Sequence, residues 1–140
     1  MATIVTRAGK GSALSWTEGD ANVTNLNNDK LEKSGGTITG YKETVNSLGT
    51  TSGTVAPNVA NGNVQTITLN GNLTLNAFTS PVAGQSLTLI INTNGTGRTL
   101  TSSMLFAGGD KTLSATSTTD IISIFYDGTT YYASLAKGFA

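Results

Sequence analysis

The spacing of hydrophobic and polar positions changes once along the chain, near residue 37. Upstream, the period is helical. Trp16, Val23 and Lys30 are seven apart, as are Gly19, Leu26 and Lys33, which makes a thin a/d seam of about two heptads. Ser15-Trp16-Thr17-Glu18 has the form of a capping box, in which Ser15 accepts from the backbone and Glu18 reaches back. The pattern predicts a helix over residues 16–33, ended by Ser34-Gly35-Gly36, where glycine supplies a left-handed cap. Gly19, Asn22, Asn25, Asn27 and Asn28 dilute its propensity, so alone it is marginal. It needs a partner: three copies about an axis, or a socket on a larger assembly.

From Thr37 onward the period is two. Residues 42–48, 64–69, 73–78, 86–92, 99–106, 121–126 and 131–136 read as strands. Asn61-Gly62, Asn70-Gly71, Asn94-Gly95 and Asp127-Gly128 offer the positive φ angles of tight hairpins. Residues 87–91 and 121–126 are nearly continuous apolar runs, the signature of central strands covered on both faces. The pattern predicts a mainly β chain, with a short N-terminal helix followed by an antiparallel β-sandwich or jelly-roll-like domain. Between Val45 and Asn63 the sequence is thin in apolar residues, which points to strand exchange in an intertwined trimer. Three segments result: 1–33, an attachment segment with the short helix; 34–63, a Gly/Thr/Ser-rich neck; and 64–140, a β-rich C-terminal domain.

Composition sharpens this picture. Charged residues make up 11% of the 140, against about 25% in an ordinary soluble domain. Ten of the sixteen charges fall in residues 1–43, so the boundary in period is also a boundary in charge. Thr (25), Gly (17), Ser (13) and Asn (13) supply nearly half the chain. Low charge with clear apolar runs argues for a Thr-rich β protein over a disordered one. The formal net charge is zero, which gives no long-range pull toward nucleic acid or an anionic membrane. The N-terminus MATIVTRAGKGS has no apolar signal-peptide region. No apolar stretch approaches the roughly 18 residues needed to span a bilayer.

The order of the pieces resembles a known construction. Residues 2–12 (ATIVTRAGKGS), then Leu14-Ser15-Trp16-Thr17-Glu18, Asp20-Ala21-Asn22 and Thr24-Asn25-Leu26-Asn27, resemble the opening of bacteriophage tail-fibre and related virion proteins, especially those of phages of aquatic bacteria. That family more often has an apolar residue where Gly19 stands. Gly35-Gly36-Thr37-Ile38-Thr39-Gly40 resembles a short unit common in fibre shafts. Residues 83–90, Phe106-Ala107-Gly108-Gly109 and Phe125-Tyr126-Asp127-Gly128-Thr129 resemble the β-rich terminal domains of such proteins. The resemblance implies a virion location, a homotrimer, an N-terminal attachment end and an outward-facing β-rich end.

The chemistry points the same way. The chain has no His and no Cys, which removes Ser-His-Asp and Cys-His catalysis and the usual zinc ligands. A glycan depolymerase needs two placed carboxylates, and the β zone holds only Asp110, Asp120 and Asp127. Gly9-Lys10-Gly11-Ser12 lacks the spacing of a P-loop and reads as a flexible basic lead-in. Asn94-Gly95-Thr96-Gly97-Arg98 reads as a hairpin connection, and Gly108-Gly109-Asp110 offers calcium a single carboxylate. No catalytic residue, cofactor or metal site is assigned.

What stands out is contact chemistry. Trp16, Val23 and Leu26 are the candidates for attachment or trimer contact. Tyr131 and Tyr132 form a possible receptor face, since aromatic rings stack on sugars; period two sends the pair to opposite faces, so one of them belongs to the core. The expected function is that of a non-enzymatic virion structural protein, a homotrimeric fibre or spike attached through residues 1–33. Its partners would be itself, other virion proteins of tail or capsid, and a host surface glycan; nucleic acid and membranes are not expected. The rival readings are a capsid decoration (cement) protein that stabilises the shell and a glycan-binding receptor-recognition protein.

Overall fold

The computed structural model describes residues 4–29 and 40–140. The chain divides into two compact units, Met1–Tyr41 and Lys42–Ala140.

In the first unit, α1 (Arg7–Lys10) is a single turn with a cap at each end. The Thr6 side chain accepts from the Gly9 amide, and Gly11, at φ 74°, donates its amide to the Arg7 carbonyl. The expected flexible lead-in is therefore a closed helical turn. Helix α2 (Trp16–Asp29) begins where the capping box places it: Glu18 N donates to Ser15 Oγ at 3.2 Å, and Ser15 N donates to Glu18 Oε2 at 2.7 Å. The expected continuation of this helix over residues 30–33, its glycine stop and most of the shaft-like unit lie outside the described residues.

The second unit is a mixed seven-stranded arrangement, not an antiparallel sandwich. Its strands are β1 (Val45–Val55), β2 (Val64–Leu75), β3 (Ser86–Asn92), β4 (Leu100–Thr101), β5 (Leu105–Phe106), β6 (Thr119–Tyr126) and β7 (Tyr131–Phe139). The spatial order is β1-β2-β3-β6-β7-β5, with β4 beside the far half of β2. β1, β2 and then β3 with β4 run parallel: Val45 pairs with Val64, Val64 with Thr88, and Thr74 with both Thr54 and Thr101. This is solenoid-like stacking. β3, β6 and β7 then close the unit as an antiparallel meander.

Several expectations change for identifiable reasons. The expected break at Asn70-Gly71 does not occur, and β2 runs through it. Gly71 is there for close approach: a Cβ at that position would stand 2.7 Å from Ser52 Cβ in β1. Asn94 and Gly95 do take positive φ, 54° and 70°, but the chain proceeds to β4 and does not return along β3. An Asn-Gly pair supplies a sharp bend without fixing which strand receives the chain. Asp127-Gly128 alone among the four closes a hairpin, β6–β7. The expected strand over 99–106 splits into β4 and β5. Residues 45–63, read from sequence as a neck, carry β1 and a 3₁₀ turn, Val59–Asn61, and pair along β2.

β1 is the edge of the stack among the described strands. Register shifts fall between Ser47 and Thr50 and between Thr51 and Gly53, with Gly49 and Gly53 at φ 74° and 77°. Such bulges twist an edge away from further pairing.

The core follows the alternation. Ile67, Leu69, Leu73 and Leu75 of β2, Leu87, Leu89 and Ile91 of β3, and Ile122 and Ile124 of β6 are all buried, with Phe78, Leu100, Met104, Phe106, Leu113 and Ala133 around them. Each large side chain so buried contributes about 1.5–3 kcal/mol. Gln65 takes a core position on β2, and its Nε2 donates to the carbonyls of Asn58 and Gly62 at 2.7 and 3.0 Å, which fixes the turn between β1 and β2. The apolar runs of β3 and β6 are covered on one face, not both: Ile90 and Ile121 are half-buried and Phe125 is exposed.

Candidate functional site

Two surfaces carry exposed apolar chemistry, one on each unit.

On the first unit, Trp16, Gly19, Val23 and Leu26 follow one another at intervals of three and four, so one face of α2 presents all of them. Trp16 is 92% exposed, Val23 68% and Leu26 60%. A cleft of about 410 Å³ lies over Gly19, lined by Leu14, Ser15, Trp16, Gly19, Asp20 and Val23. Other sides of the helix are braced. The Asn22 amide pairs with the backbone of Val5 in both directions, Val5 N to Oδ1 at 2.9 Å and Nδ2 to Val5 O at 2.8 Å. Lys10 Nζ donates to Glu18 Oε2 at 2.5 Å and to the Ala13 carbonyl at 3.2 Å. The Lys10 contact, with the Ser15 amide second, lowers the Glu18 carboxyl from an ordinary 4.5 to about 2. The structure therefore brings together the three residues the sequence singled out for contact, and adds the cleft at Gly19.

On the second unit, the two tyrosines part company as their alternation requires. Tyr131 faces inward, stacked on Tyr126 at 4.3 Å and edge-on to Phe78 at 5.1 Å. Burial, and next the neighbouring Tyr126, push its phenol above the usual range. Tyr132 faces outward and is 49% exposed. Its cross-strand neighbours are Phe125 on β6 and Leu105 on β5, and Phe125 in turn pairs with Ser86 on β3. Ser86, Phe125, Tyr132 and Leu105 thus form one exposed row across four strands. Beside it, Ser86, Ser123, Ser134, Phe125 and Tyr132 rim an apolar groove of about 430 Å³ with no charged residue in its lining.

Of the sequence candidates, Tyr131 is a packing residue and Tyr132 is the accessible one. Phe125 and Leu105 become visible as members of the row only once the register is known. The period-two pattern assigns each residue a face, but not the partner strands that align these side chains.

The three aspartates of the β unit hold structure in place. Asp110 accepts from Lys137 Nζ at 2.6 Å and from the Thr112 amide at 2.8 Å; the lysine first and then the amide keep it below the usual carboxylate range. Asp127 accepts from the amides of Thr130 and Thr129, both at 2.7 Å, and is lowered by these bonds. Asp120 is fully buried and accepts three hydrogen bonds, from Ser114 N and Oγ at 2.7 Å and Gly138 N at 2.9 Å. Sequence reasoning gave Asp120 no such role. Its parity with Ile122 and Ile124, which places it on the core face, was the available signal.

Among the described residues, no group of three or more His, Cys, Asp or Glu is placed to hold a metal ion. Among the same residues, no helix is long and apolar enough to cross a membrane. No family model, no curated protein and no solved structure matches this chain.

Proposed function

We propose that the chain is a non-enzymatic structural protein of a bacteriophage particle, a homotrimeric fibre or spike attached through residues 1–33. The observation that carries this reading is the exposed seam of α2. Trp16, Val23 and Leu26 stand open on a helix that is capped and braced elsewhere but has little core of its own. A helix with so little intramolecular burial draws its stability from association. The β unit supports the reading as a stable, nearly uncharged body of Thr- and Ser-rich strands stacked in parallel. Its three aspartates, Asp110, Asp120 and Asp127, each have a structural partner, and the chain has neither His nor Cys to supply a catalytic base or nucleophile. The function is then binding, with three weak contacts on one axis gaining strength through effective concentration. Partners would be a second and third copy, a tail or capsid protein at residues 1–33, and a host surface glycan at the outward row around Tyr132.

Sedimentation of the purified chain tests association: a trimer at micromolar concentration is expected, and a monomer there overturns the reading. Cryo-electron reconstruction of the particle tests location. A few trimers projecting from the tail are expected of a fibre. Hundreds of copies on the shell would instead make it a capsid decoration protein, with residues 1–33 as the clamp.

A further inference from the structure

Among the described residues, nothing requires glycine at position 19. A Cβ built there meets no described atom within 4 Å beyond its chain neighbours and the helix's own backbone, and Gly19 is absent from the positive-φ glycines. Alanine would fit and would favour the helix. The cleft over Gly19 offers a different reason for the residue.

We infer that Gly19 forms the socket for the Trp16 indole of a second, parallel copy of this chain. The inference rests on the self-association proposed above. In a coiled coil each knob enters a hole made by four residues of the facing helix. With Trp16 at a, the hole at the next layer is bounded by Trp16, Gly19, Asp20 and Val23. All four line the cleft, together with Leu14 and Ser15.

A glycine at d has no knob of its own, so in a symmetric coil this hole stays empty unless a side chain from an adjacent layer enters it. Trp16 is that adjacent layer. Three residues of helix rise about 4.5 Å, within the span of an indole. One face of α2 thus bears both an oversized knob and a vacant hole, a self-complementary pair that a second copy matches. Over Trp16–Asp29 a parallel alignment brings Ser15 at g beside Asp20 at e and places no charged residue at a or d.

The test uses the full chain, and Trp16, its sole tryptophan, as reporter. As concentration rises, Trp16 emission is expected to shift to the blue and its quenching by acrylamide to fall in step with association seen by sedimentation. Gly19→Ala is expected to raise helicity by far-ultraviolet circular dichroism and yet to weaken association at least tenfold. Association with unchanged Trp16 emission, or a Gly19→Ala variant that associates as tightly as the parent, would overturn the socket while leaving self-association standing. A parent chain that stays monomeric at every concentration would instead remove the self-association reading, and the socket with it.

Discussion

The buried carboxylate of Asp120 accepts a hydrogen bond at 2.9 Å from the amide of Gly138, eighteen residues along the chain. The same side chain holds Ser114 through its amide and hydroxyl, so one carboxylate ties the loop before β6 to the end of β7. It sits opposite Ile91 in the β3–β6 register, beside the β6–β7 register shift that separates Thr119 from Ile121. Asp120→Ala leaves the backbone amides of half-buried Ser114 and exposed Gly138 without their acceptor. Such loss costs about 1–3 kcal/mol per group, so a total near 3 kcal/mol is expected. For a unit of about a hundred residues this lowers the melting temperature by roughly 15 °C. Urea unfolding followed by circular dichroism measures it. A change within about 0.5 kcal/mol would show that Asp120 is not a clamp.

Gly71 and Ser52 make a second pair with a definite consequence. An alanine Cβ at position 71 would lie 2.7 Å from Ser52 Cβ and 3.0 Å from its Oγ. Gly71→Ala is therefore expected to destabilise the β1–β2 pairing by about 1–3 kcal/mol. Adding Ser52→Gly removes the opposing atoms and should recover a measurable part of that loss. A double-mutant cycle reads the coupling. An additive outcome would mean that β1 yields freely and does not press on β2.

Tyr131 and Tyr132 are adjacent in sequence and opposite in role. Tyr131→Ala removes a ring held between Tyr126 and Phe78, and a loss of about 3–5 kcal/mol is expected. Tyr132→Ala and Phe125→Ala alter an exposed row and are expected to leave stability within about 1 kcal/mol of the parent. Any glycan binding should follow the opposite pattern, with Tyr132 and Phe125 carrying it. Equal destabilisation by Tyr131→Ala and Tyr132→Ala would contradict the assignment of faces.

These cases also show which information the sequence held. The mainly β character, the start of α2 and the bounds of β3 were legible, because they depend on local alternation and on a capping box within four residues. The sheet topology was not. Asn94-Gly95 takes the backbone angles of a hairpin turn, yet the chain passes on to β4 beside β2. Gly71 resembles half of a turn signal until Ser52, nineteen positions earlier, is seen against it. A local pattern gives each side chain a face; only the pairing of distant strands shows what that face meets. The exposed seam of α2 was legible because heptad spacing is local. The row of Ser86, Phe125, Tyr132 and Leu105 was not, because it exists only across four strands.

Acid offers a separate handle on the first unit. Glu18 reaches back to Ser15 N and accepts from Lys10, and these bonds lower its carboxyl from 4.5 to about 2. A group whose folded pKa is depressed adds stability above its unfolded value and loses it as pH falls through the folded one. The brace is thus fully present at neutral pH, weakens below about 4.5 and is gone near 2. The helicity of α2 should fall across that window, and only modestly, because the pair is open to solvent and salt screens it. Glu18→Gln should remove this titration, since the glutamine keeps the reach to the Ser15 amide without the charge. Lys10→Met should shrink it and move the midpoint upward, toward an ordinary carboxylate. The check is helicity against pH at low ionic strength for the parent and both variants. A parent curve flat from pH 6 to pH 2 would mean that the Ser15–Glu18 cap contributes nothing to holding α2 in place.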